Sequence, residues 1–201
     1  MGQKIDCTGI ILSGGLNTRM QGRNKALLEL GGRCILDRIL DAVTACCSRC
    51  MIVTREPALY LEWEVEIMRD MFDVRSALTG IHAGLTMMTT DFAFVTSCDT
   101  PLLKKEVIQM LMEEMKPNVD VIVPRQETFY QPMCAIYSAR CAPVIEQMLQ
   151  RQQLKVDRLY DRVKTKAIPY ERFKSADPNL NSFFNVNTPE ELETARRLIA
   201  T

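Results

Sequence analysis

Two adjacent glycines followed by arginine and lysine residues form the segment of this sequence best suited to binding an anionic ligand. An apolar run over residues 8–12 leads directly into Ser13-Gly14-Gly15, and Arg19 and Lys25 follow. Glycines let a backbone turn tightly and bring its N–H groups close to a ligand, and an arginine fork with a mobile lysine charge suits a polyphosphate. The spacing matches neither Walker A, GxxxxGKS or GxxxxGKT, nor the dinucleotide motif GxGxxG. A turn with solvated basic side chains is the alternative interpretation.

Asp99 is the candidate metal ligand, because it follows another apolar run, over residues 92–96. Magnesium is usually held by one or two carboxylates while phosphates and waters complete its coordination, so one well-placed aspartate is enough. Asp99 also stands shortly before Pro101, in a context that equally predicts the N-cap of a following helix. The sequence leaves both roles open, and they are compatible.

The alternation of strands and helices predicts an α/β fold, with a mostly parallel sheet flanked by helices and a small antiparallel edge between about residues 120 and 170. The expected strands cover residues 8–12, 51–54, 65–68, 92–96, 119–123, 132–137 and 166–169. The expected helices cover residues 35–47, 77–88, 104–115, 142–152 and 189–199. Open sheets of this kind bind ligands beyond the carboxyl ends of their strands, so the loops after residues 12 and 96 should matter most.

The composition argues against nucleic acid and membrane partners. Twenty-five basic residues balance 25 acidic residues without a basic block, which gives little attraction for duplex nucleic acid or an anionic membrane. No uncharged apolar run approaches the roughly 18 residues that a bilayer span needs, and residues 1–6 lack the apolar core of a signal peptide. We therefore expect a cytoplasmic protein that folds as a single domain over residues 1–201.

The eight cysteines and the single histidine have ordinary structural explanations. Cys47 and Cys50 form a lone CxxC, and Cys46 and Cys50 could share a helical face, but a structural zinc site usually needs four ligands. We expect the cysteines to be small hydrophobic residues in a reducing compartment. His82 lies in an apolar helical context, where we expect a buried histidine with satisfied hydrogen bonds rather than a catalytic one.

The segment from Leu12 to Lys25 resembles the signature LxGGxxxRMGxxK of a nucleotidyltransferase superfamily, with Gln21 as one additional residue before the next glycine. Together with residues 77–80, 97–102 and 185–192, it makes the chain similar to the molybdenum cofactor guanylyltransferase family over nearly its whole length. Members of that family transfer GMP from GTP to molybdopterin and have a Rossmann-like nucleotidyltransferase fold. The resemblance implies GTP and molybdopterin as substrates, Mg²⁺ as cofactor, and proteins of molybdenum cofactor biosynthesis or acceptor proteins as further partners.

The resemblance also implies a role for each matching residue. Lys25, Arg19 and Asp99 would be catalytic, and Asp99 would hold the magnesium ion. Asn185 and Asn187 would lie on the pterin side of the site. The implied nucleotide-binding residues are Leu12, Ser13, Gly14, Gly15, Lys25, Asp70, Gly80 and Asp99.

Two positions depart from the family pattern, and one matching string has a structural explanation. Thr54 stands where relatives often have asparagine, and the turn over residues 76–80 lacks the proline of the family's Gly-Pro-Leu-Ala-Gly. Thr188 as N-cap, Pro189 as first helical residue and Glu191 three residues after the cap predict a capping box.

The predicted reaction is an in-line attack of the molybdopterin phosphate on the α-phosphorus of GTP, with pyrophosphate as leaving group. That phosphate is anionic near neutral pH, so positioning and charge neutralisation can suffice without a general base. The nearest alternative is a cytidylyltransferase of the same superfamily acting on molybdopterin or on a sugar or polyol phosphate, where alanine tends to replace Gly14. Two alternatives belong to other classes. One is a binding module without catalysis, against which the presence of Arg19, Lys25 and Asp99 argues. The other is a cysteine-based metal or redox protein.

Overall fold

The computed structural model describes residues 5–14, 24–70, 72 and 74–200. The strands are β1 (Ile5–Ser13), β2 (Glu29–Leu30), β3 (Arg33–Cys34), β4 (Cys47–Thr54), β5 (Glu66–Arg69), β6 (Phe92–Ser97), β7 (Val121–Gln126), β8 (Phe129–Tyr130), β9 (Cys134–Ser138) and β10 (Thr165–Pro169). The helices are α1 (Ile35–Thr44), α2 (Ala77–Met87), α3 (Lys105–Met112), α4 (Cys141–Gln150), α5 (Asp157–Tyr160) and α6 (Pro189–Ala200). No helix within these ranges has both the length and the apolar composition needed to cross a bilayer.

Within the described residues, eight strands form one sheet in the order β10-β7-β9-β6-β1-β4-β5, with β8 paired to β7. β1 pairs in parallel with β4 and with β6, and the pairs β4–β5 and β7–β10 are parallel as well. β9 runs antiparallel to both of its neighbours, β6 and β7, and β8 adds a short antiparallel pairing at the end of β7. The predicted mostly parallel sheet is therefore confirmed, although its main antiparallel strand lies inside the sheet, and β2 and β3 form a separate ribbon.

β1 is buried on both faces because helices cover both sides of the sheet. Ile10 belongs to an apolar cluster with Leu78 of α2 and Ile145 of α4. The next residue, Ile11, belongs to a second cluster with Ile39 of α1. Successive side chains of a strand point to opposite faces, so a continuous apolar run is what a strand between two helical layers requires.

The cysteines pack mainly as small hydrophobic residues, as predicted, and all eight are free thiols. Five of them are buried, namely Cys7, Cys46, Cys47, Cys134 and Cys141. The expectation that Cys46 and Cys50 share a helical face is wrong, because α1 ends at Thr44 and Cys50 lies within strand β4. Within the described ranges, no group of three or more histidine, cysteine, aspartate or glutamate side chains is arranged to hold a metal ion.

Gly9 lies where helix α1 closely approaches strand β1. A Cβ atom built on this residue would lie 2.1 Å from Cγ1 of Val43 in α1 and 3.4 Å from Sγ of Cys47. Helix α1 can therefore pack directly on the backbone of β1, and this contact fixes the depth of the layer that covers one face of the sheet.

We predict that Gly9→Ala lowers the free energy of unfolding by about 2 kcal/mol, because the added methyl group overpacks the contact with Val43. Urea denaturation of the variant and the wild type measures the change. Gly14→Ala is the matched control, since a Cβ atom there meets none of the described residues within 4 Å and should leave stability nearly unchanged. Equal stabilities of the Gly9 variant and the wild type would contradict this prediction.

Candidate functional site

The carboxyl ends of β1, β4 and β6 meet at one edge of the sheet. In the parallel register Leu12 lies beside Ser97 and Ser13 lies beside Thr54. The backbone N–H of Cys98 then donates to the carbonyl oxygen of Leu12 at 3.0 Å. The loops after residues 12 and 96, which the sequence singles out, consequently start next to each other.

A cavity of about 400 Å³ opens at this edge. Its volume lies in the range typical of small-ligand sites. The lining residues are Leu12, Gly14, Lys25, Val53, Thr54, Arg55, Asp70, Arg75, Ser76, Ala77, Gly80, Ser97, Cys98, Asp99, Met133 and Asn185.

Asp99 lines the cavity and is held by contacts to Ser97 and to Val186. Its carboxylate Oδ1 accepts a hydrogen bond from Oγ of Ser97 at 2.5 Å, and its backbone carbonyl accepts one from the N–H of Val186 at 2.7 Å. Helix α3 begins only at Lys105, and Lys104 occupies its N-cap position. The N-cap role that the sequence allowed for Asp99 is therefore wrong, and its carboxylate remains available to a ligand.

Asn185 lines the same cavity and carries a buried acceptor without a partner. Its Oδ1 receives no hydrogen bond from any other described residue. Buried polar atoms are normally paired, so an unpaired one on a residue that lines a cavity calls for an explanation. An amide oxygen and a carboxylate, from two residues that line one cavity, are a donor set of the kind that Mg²⁺ accepts, and the residues present therefore fit a divalent cation.

Lys25 is held toward the cavity by a residue far along the chain. It lies in a short 3-10 helix, Lys25–Leu27, whose N-cap is the side chain of Asn24. Its Nζ donates to Oδ1 of Asn187 at 2.7 Å. This contact brings the two predicted residues together and joins the start of the chain to the segment before α6.

The segment before α6 is fixed by the predicted capping box. The carboxylate Oε2 of Glu191 accepts from the backbone N–H groups of Asn187 at 2.6 Å and Thr188 at 3.0 Å. The N–H of Glu191 in turn donates to Oγ1 of Thr188 at 3.2 Å. The cap is confirmed, and it also fixes the backbone of the asparagine that holds Lys25.

Asp70 lies on the α2 side of the cavity, within a network of donors. Its carboxylate accepts from Oγ1 of Thr79 at 2.6 Å and from the N–H of Phe72 at 3.1 Å. Nη2 of Arg55 lies 3.6 Å from Oδ2 of Asp70 and also donates to the carbonyl oxygen of Phe72 at 2.6 Å. Gly80 lets α2 pack against β1, because a Cβ there would lie 3.1 Å from Cδ2 of Leu12.

The structure brings most of the sequence-predicted residues to one cavity. Those that line it are Leu12, Gly14, Lys25, Asp70, Gly80, Asp99 and Asn185. Ser13 and Asn187 are not among the lining residues, and each contacts another side chain: Ser13 bonds to Tyr60, and Asn187 to Lys25. Gly15 and Arg19 lie outside the described residues.

Several cavity residues were not predicted from the sequence, among them Arg55, Arg75, Met133 and Cys98. Arg55 directly follows β4, so the rule that ligands bind beyond the ends of strands could have found it. Arg75 precedes the N-cap of α2, and Met133 precedes β9, and no motif marks either of them.

Cys98 also lines the cavity. Burial raises the pKa of its thiol to about 11, and the charge of Asp99 adds to this effect. It is therefore a neutral thiol at physiological pH, not a nucleophile.

His82 supports the loop that carries Asp70. It is 6 % exposed and its ring meets that of Phe72 edge-on, with 5.3 Å between ring centroids. The expected burial is confirmed, but the expected satisfaction is wrong, because Nδ1 has no hydrogen-bond partner among the described residues. Burial lowers the pKa of His82, against the opposing charges of Glu146 and Asp70.

We predict that His82 makes the free energy of unfolding fall as the pH drops below about 6.5, the ordinary pKa of histidine. Because its pKa is lower in the native state, the unfolded chain takes up a proton that the native chain does not, and acid favours unfolding. Urea denaturation at about pH 7 and about pH 5 should show a smaller loss of stability for His82→Leu than for the wild type. Equal losses in the two proteins would refute the prediction.

The chain is similar to known nucleotidyltransferases in both sequence and structure. It is 41% identical over 192 residues to a molybdenum cofactor guanylyltransferase of Desulfosudis oleivorans, covering 96% of this chain and 95% of that one. The crystal structure of molybdopterin-guanine dinucleotide biosynthesis protein A from Archaeoglobus fulgidus has a TM-score of 0.85 at 26% identity, covering 96% of this chain and 98% of that one.

A 2-C-methyl-D-erythritol 4-phosphate cytidylyltransferase from Thermus thermophilus has a TM-score of 0.72 at 13% identity, covering 98% of this chain and all of that one, and thus shares the fold. The family model of the MobA-like NTP transferase domain matches residues 9–166. This span includes the cavity residues Leu12, Lys25 and Asp99. The chain belongs to the MobA-like NTP transferase family.

Proposed function

We propose that this chain transfers GMP from GTP to molybdopterin, with release of pyrophosphate and with Mg²⁺ as cofactor, in the cytoplasm. The observation that carries the proposal is that Lys25, Asp99 and Asn185, whose amide oxygen has no partner among the described residues, line one cavity. A phosphate-binding cation and two oxygen ligands for a metal are what nucleotidyl transfer needs in one place. The sequence relative with 41% identity, named a guanylyltransferase, supports the choice of nucleotide and acceptor.

Asp99 and Asn185 are the residues that would hold the magnesium ion. When bound, the ion would supply a Lewis acid that neutralises charge on phosphate oxygens. Ser97 fixes the orientation of the Asp99 carboxylate by donating to Oδ1, which leaves Oδ2 free of that contact. The hydrogen bond from Val186 to the backbone of Asp99 keeps the segment that contains Asn185 next to Asp99.

The protein's own contribution to catalysis is positioning and positive charge. A phosphate oxygen of molybdopterin forms a bond to the α-phosphorus of GTP, and the bond from that phosphorus to the bridging oxygen of the β-phosphate breaks. Lys25 stabilises the charge that develops on the leaving pyrophosphate, and Arg19 has the same role. No side chain has to remove a proton, because the attacking phosphate is already anionic.

The rest of the cavity accounts for the two substrates. Leu12 and Gly14, with Asp70 and Gly80 on the α2 side, line the cavity and would bind the guanine and ribose, together with Ser13 and Gly15, which adjoin Gly14 in sequence. Asn187 and Asn185 would lie toward the pterin phosphate, where Asn187 also orients Lys25. Proteins of molybdenum cofactor biosynthesis, or the acceptor of the finished cofactor, would be its protein partners.

A cytidylyltransferase acting on molybdopterin or on a sugar or polyol phosphate is the second candidate. The cytidylyltransferase with a TM-score of 0.72 supports only the common fold, because its identity is 13%. The glycine at position 14 and the identity to a named guanylyltransferase favour GTP.

The deciding experiment offers the purified chain molybdopterin cofactor, Mg²⁺ and either GTP or CTP, and measures the dinucleotide product. We expect product with GTP and none with CTP. Product with CTP alone would overturn the base assignment while keeping the reaction class. Absence of product with both nucleotides, in an assay where an established guanylyltransferase is active, would overturn the proposed reaction.

We predict that Asp99→Asn lowers the rate of guanylyl transfer by about a hundredfold or more, because the amide removes the negative charge that binds the metal. Thermal unfolding should be little changed, since an amide oxygen can still accept from Ser97. The matched control is Asp91→Asn, an exposed aspartate directly before β6, at the opposite end of that strand. Similar activities of the two variants would show that Asp99 is not the metal ligand.

A further inference from the structure

Tyr60 is a buried tyrosine whose hydroxyl contacts both Ser13 and Asn24. It ends a short 3-10 helix, Pro57–Tyr60, and is 1% exposed. Its hydroxyl oxygen lies 2.5 Å from Oγ of Ser13, the last residue of β1, and accepts a hydrogen bond from Nδ2 of Asn24 at 2.7 Å. Ser13 and Asn24 stand immediately before and immediately after residues 14–23.

Asn24 connects this hydroxyl to the short helix that begins at Lys25. Oδ1 of Asn24 accepts from the N–H of Ala26 at 3.1 Å and so caps the 3-10 helix that begins at Lys25. One amide side chain therefore fixes the helix through its oxygen and bonds to Tyr60 through its nitrogen. The position of the Lys25 backbone relative to the end of β1 depends on this pair of contacts.

The same connection closes a ring of contacts around the cavity. Lys25 donates to Asn187 at 2.7 Å, and Val186, next to Asn187, donates to the backbone of Asp99 at 2.7 Å. Cys98 donates to Leu12 at 3.0 Å, which leads back to Ser13 and the hydroxyl of Tyr60. Tyr60 is the member of this ring that fixes the lysine relative to the strand that precedes it.

We propose that Tyr60 is a positioning residue for Lys25: its hydroxyl, bonded to Ser13 and Asn24, holds the lysine where it binds the GTP phosphates. The inference rests on the proposed function of the site. Tyr60 itself is not among the residues that line the cavity, so it acts through Lys25 and not on the nucleotide.

The hydroxyl can be separated experimentally from the ring. The ring packs in the apolar cluster of α1, 6.1 Å from the ring of Trp63, and a phenylalanine would keep those contacts. Burial raises the pKa of Tyr60, so the hydroxyl stays protonated and can donate to Ser13 at neutral pH. Tyr60→Phe would leave the Asn24 amide and the Ser13 hydroxyl without this partner.

The test is a double-mutant cycle on GTP binding to the full chain in the presence of Mg²⁺. Titration of the wild type with GTP comes first and tests the proposed function alone. We expect Tyr60→Phe to raise the dissociation constant for GTP about tenfold in the wild-type background. In a Lys25→Met background the same substitution should change it less than about twofold, because the group that Tyr60 positions is gone.

Two further variants make the outcome decisive. Tyr160→Phe removes another buried tyrosine hydroxyl, one that bonds to Tyr137 in the opposite cluster, and should leave GTP affinity unchanged. Asn24→Ser keeps an N-cap oxygen but has no amide to reach Tyr60. We expect it to weaken GTP binding as Tyr60→Phe does, and it tests the proposal even if Tyr60→Phe folds poorly. The proposal is overturned if Tyr60→Phe has no effect, or if its effect is equally large with and without Lys25, while the wild type binds GTP.

Discussion

The parallel pairing of β1 with β4 on one side and with β6 on the other is the constraint on which the rest of this structure depends. Hydrogen bonding in a parallel ladder fixes the offset between strands, so Leu12 comes beside Ser97 and Ser13 beside Thr54. Three loops must then leave the sheet at one edge. Lys25 and Asp99 reach the same cavity for this reason.

Contacts between segments distant in sequence turn that shared edge into a defined site. Lys25 and Asn187 are separated by 162 positions, yet their side chains are 2.7 Å apart, and the capping box of α6 fixes the asparagine. Val186 adds a backbone contact to Asp99 from the same segment. Because an unpaired buried polar group is costly, such contacts favour one arrangement over many alternatives. The last part of the chain is thus as much a component of the site as Leu12, Gly14 and Lys25 near its beginning.

The chemistry available at the cavity is that of charge and orientation. Its described lining contains the cations Lys25, Arg55 and Arg75 and the carboxylates Asp70 and Asp99. His82 is absent from that lining, and the one thiol there has its pKa raised to about 11 by burial. Transfer between two phosphates suits such a site, since it demands neutralisation of negative charge and no proton abstraction.

Local patterns predicted the elements well and failed where tertiary pairing decides. Every strand expected from an apolar run exists, although β7 begins two residues later than predicted and β1 extends beyond the run. Cys46 and Cys50 have helical spacing, but Cys50 belongs to a strand because β4 pairs with β1 and β5. Asp99 has the context of an N-cap, but the helix begins at Lys105 after a turn.

By itself the sequence determined the α/β class, the segments that carry charge, and the cap of α6, because these follow from periodicity and neighbouring residues. Only the tertiary structure decided the unpaired oxygen of Asn185, the partners of Lys25, and the Tyr60 link, because each joins groups whose separation along the chain no local pattern can encode.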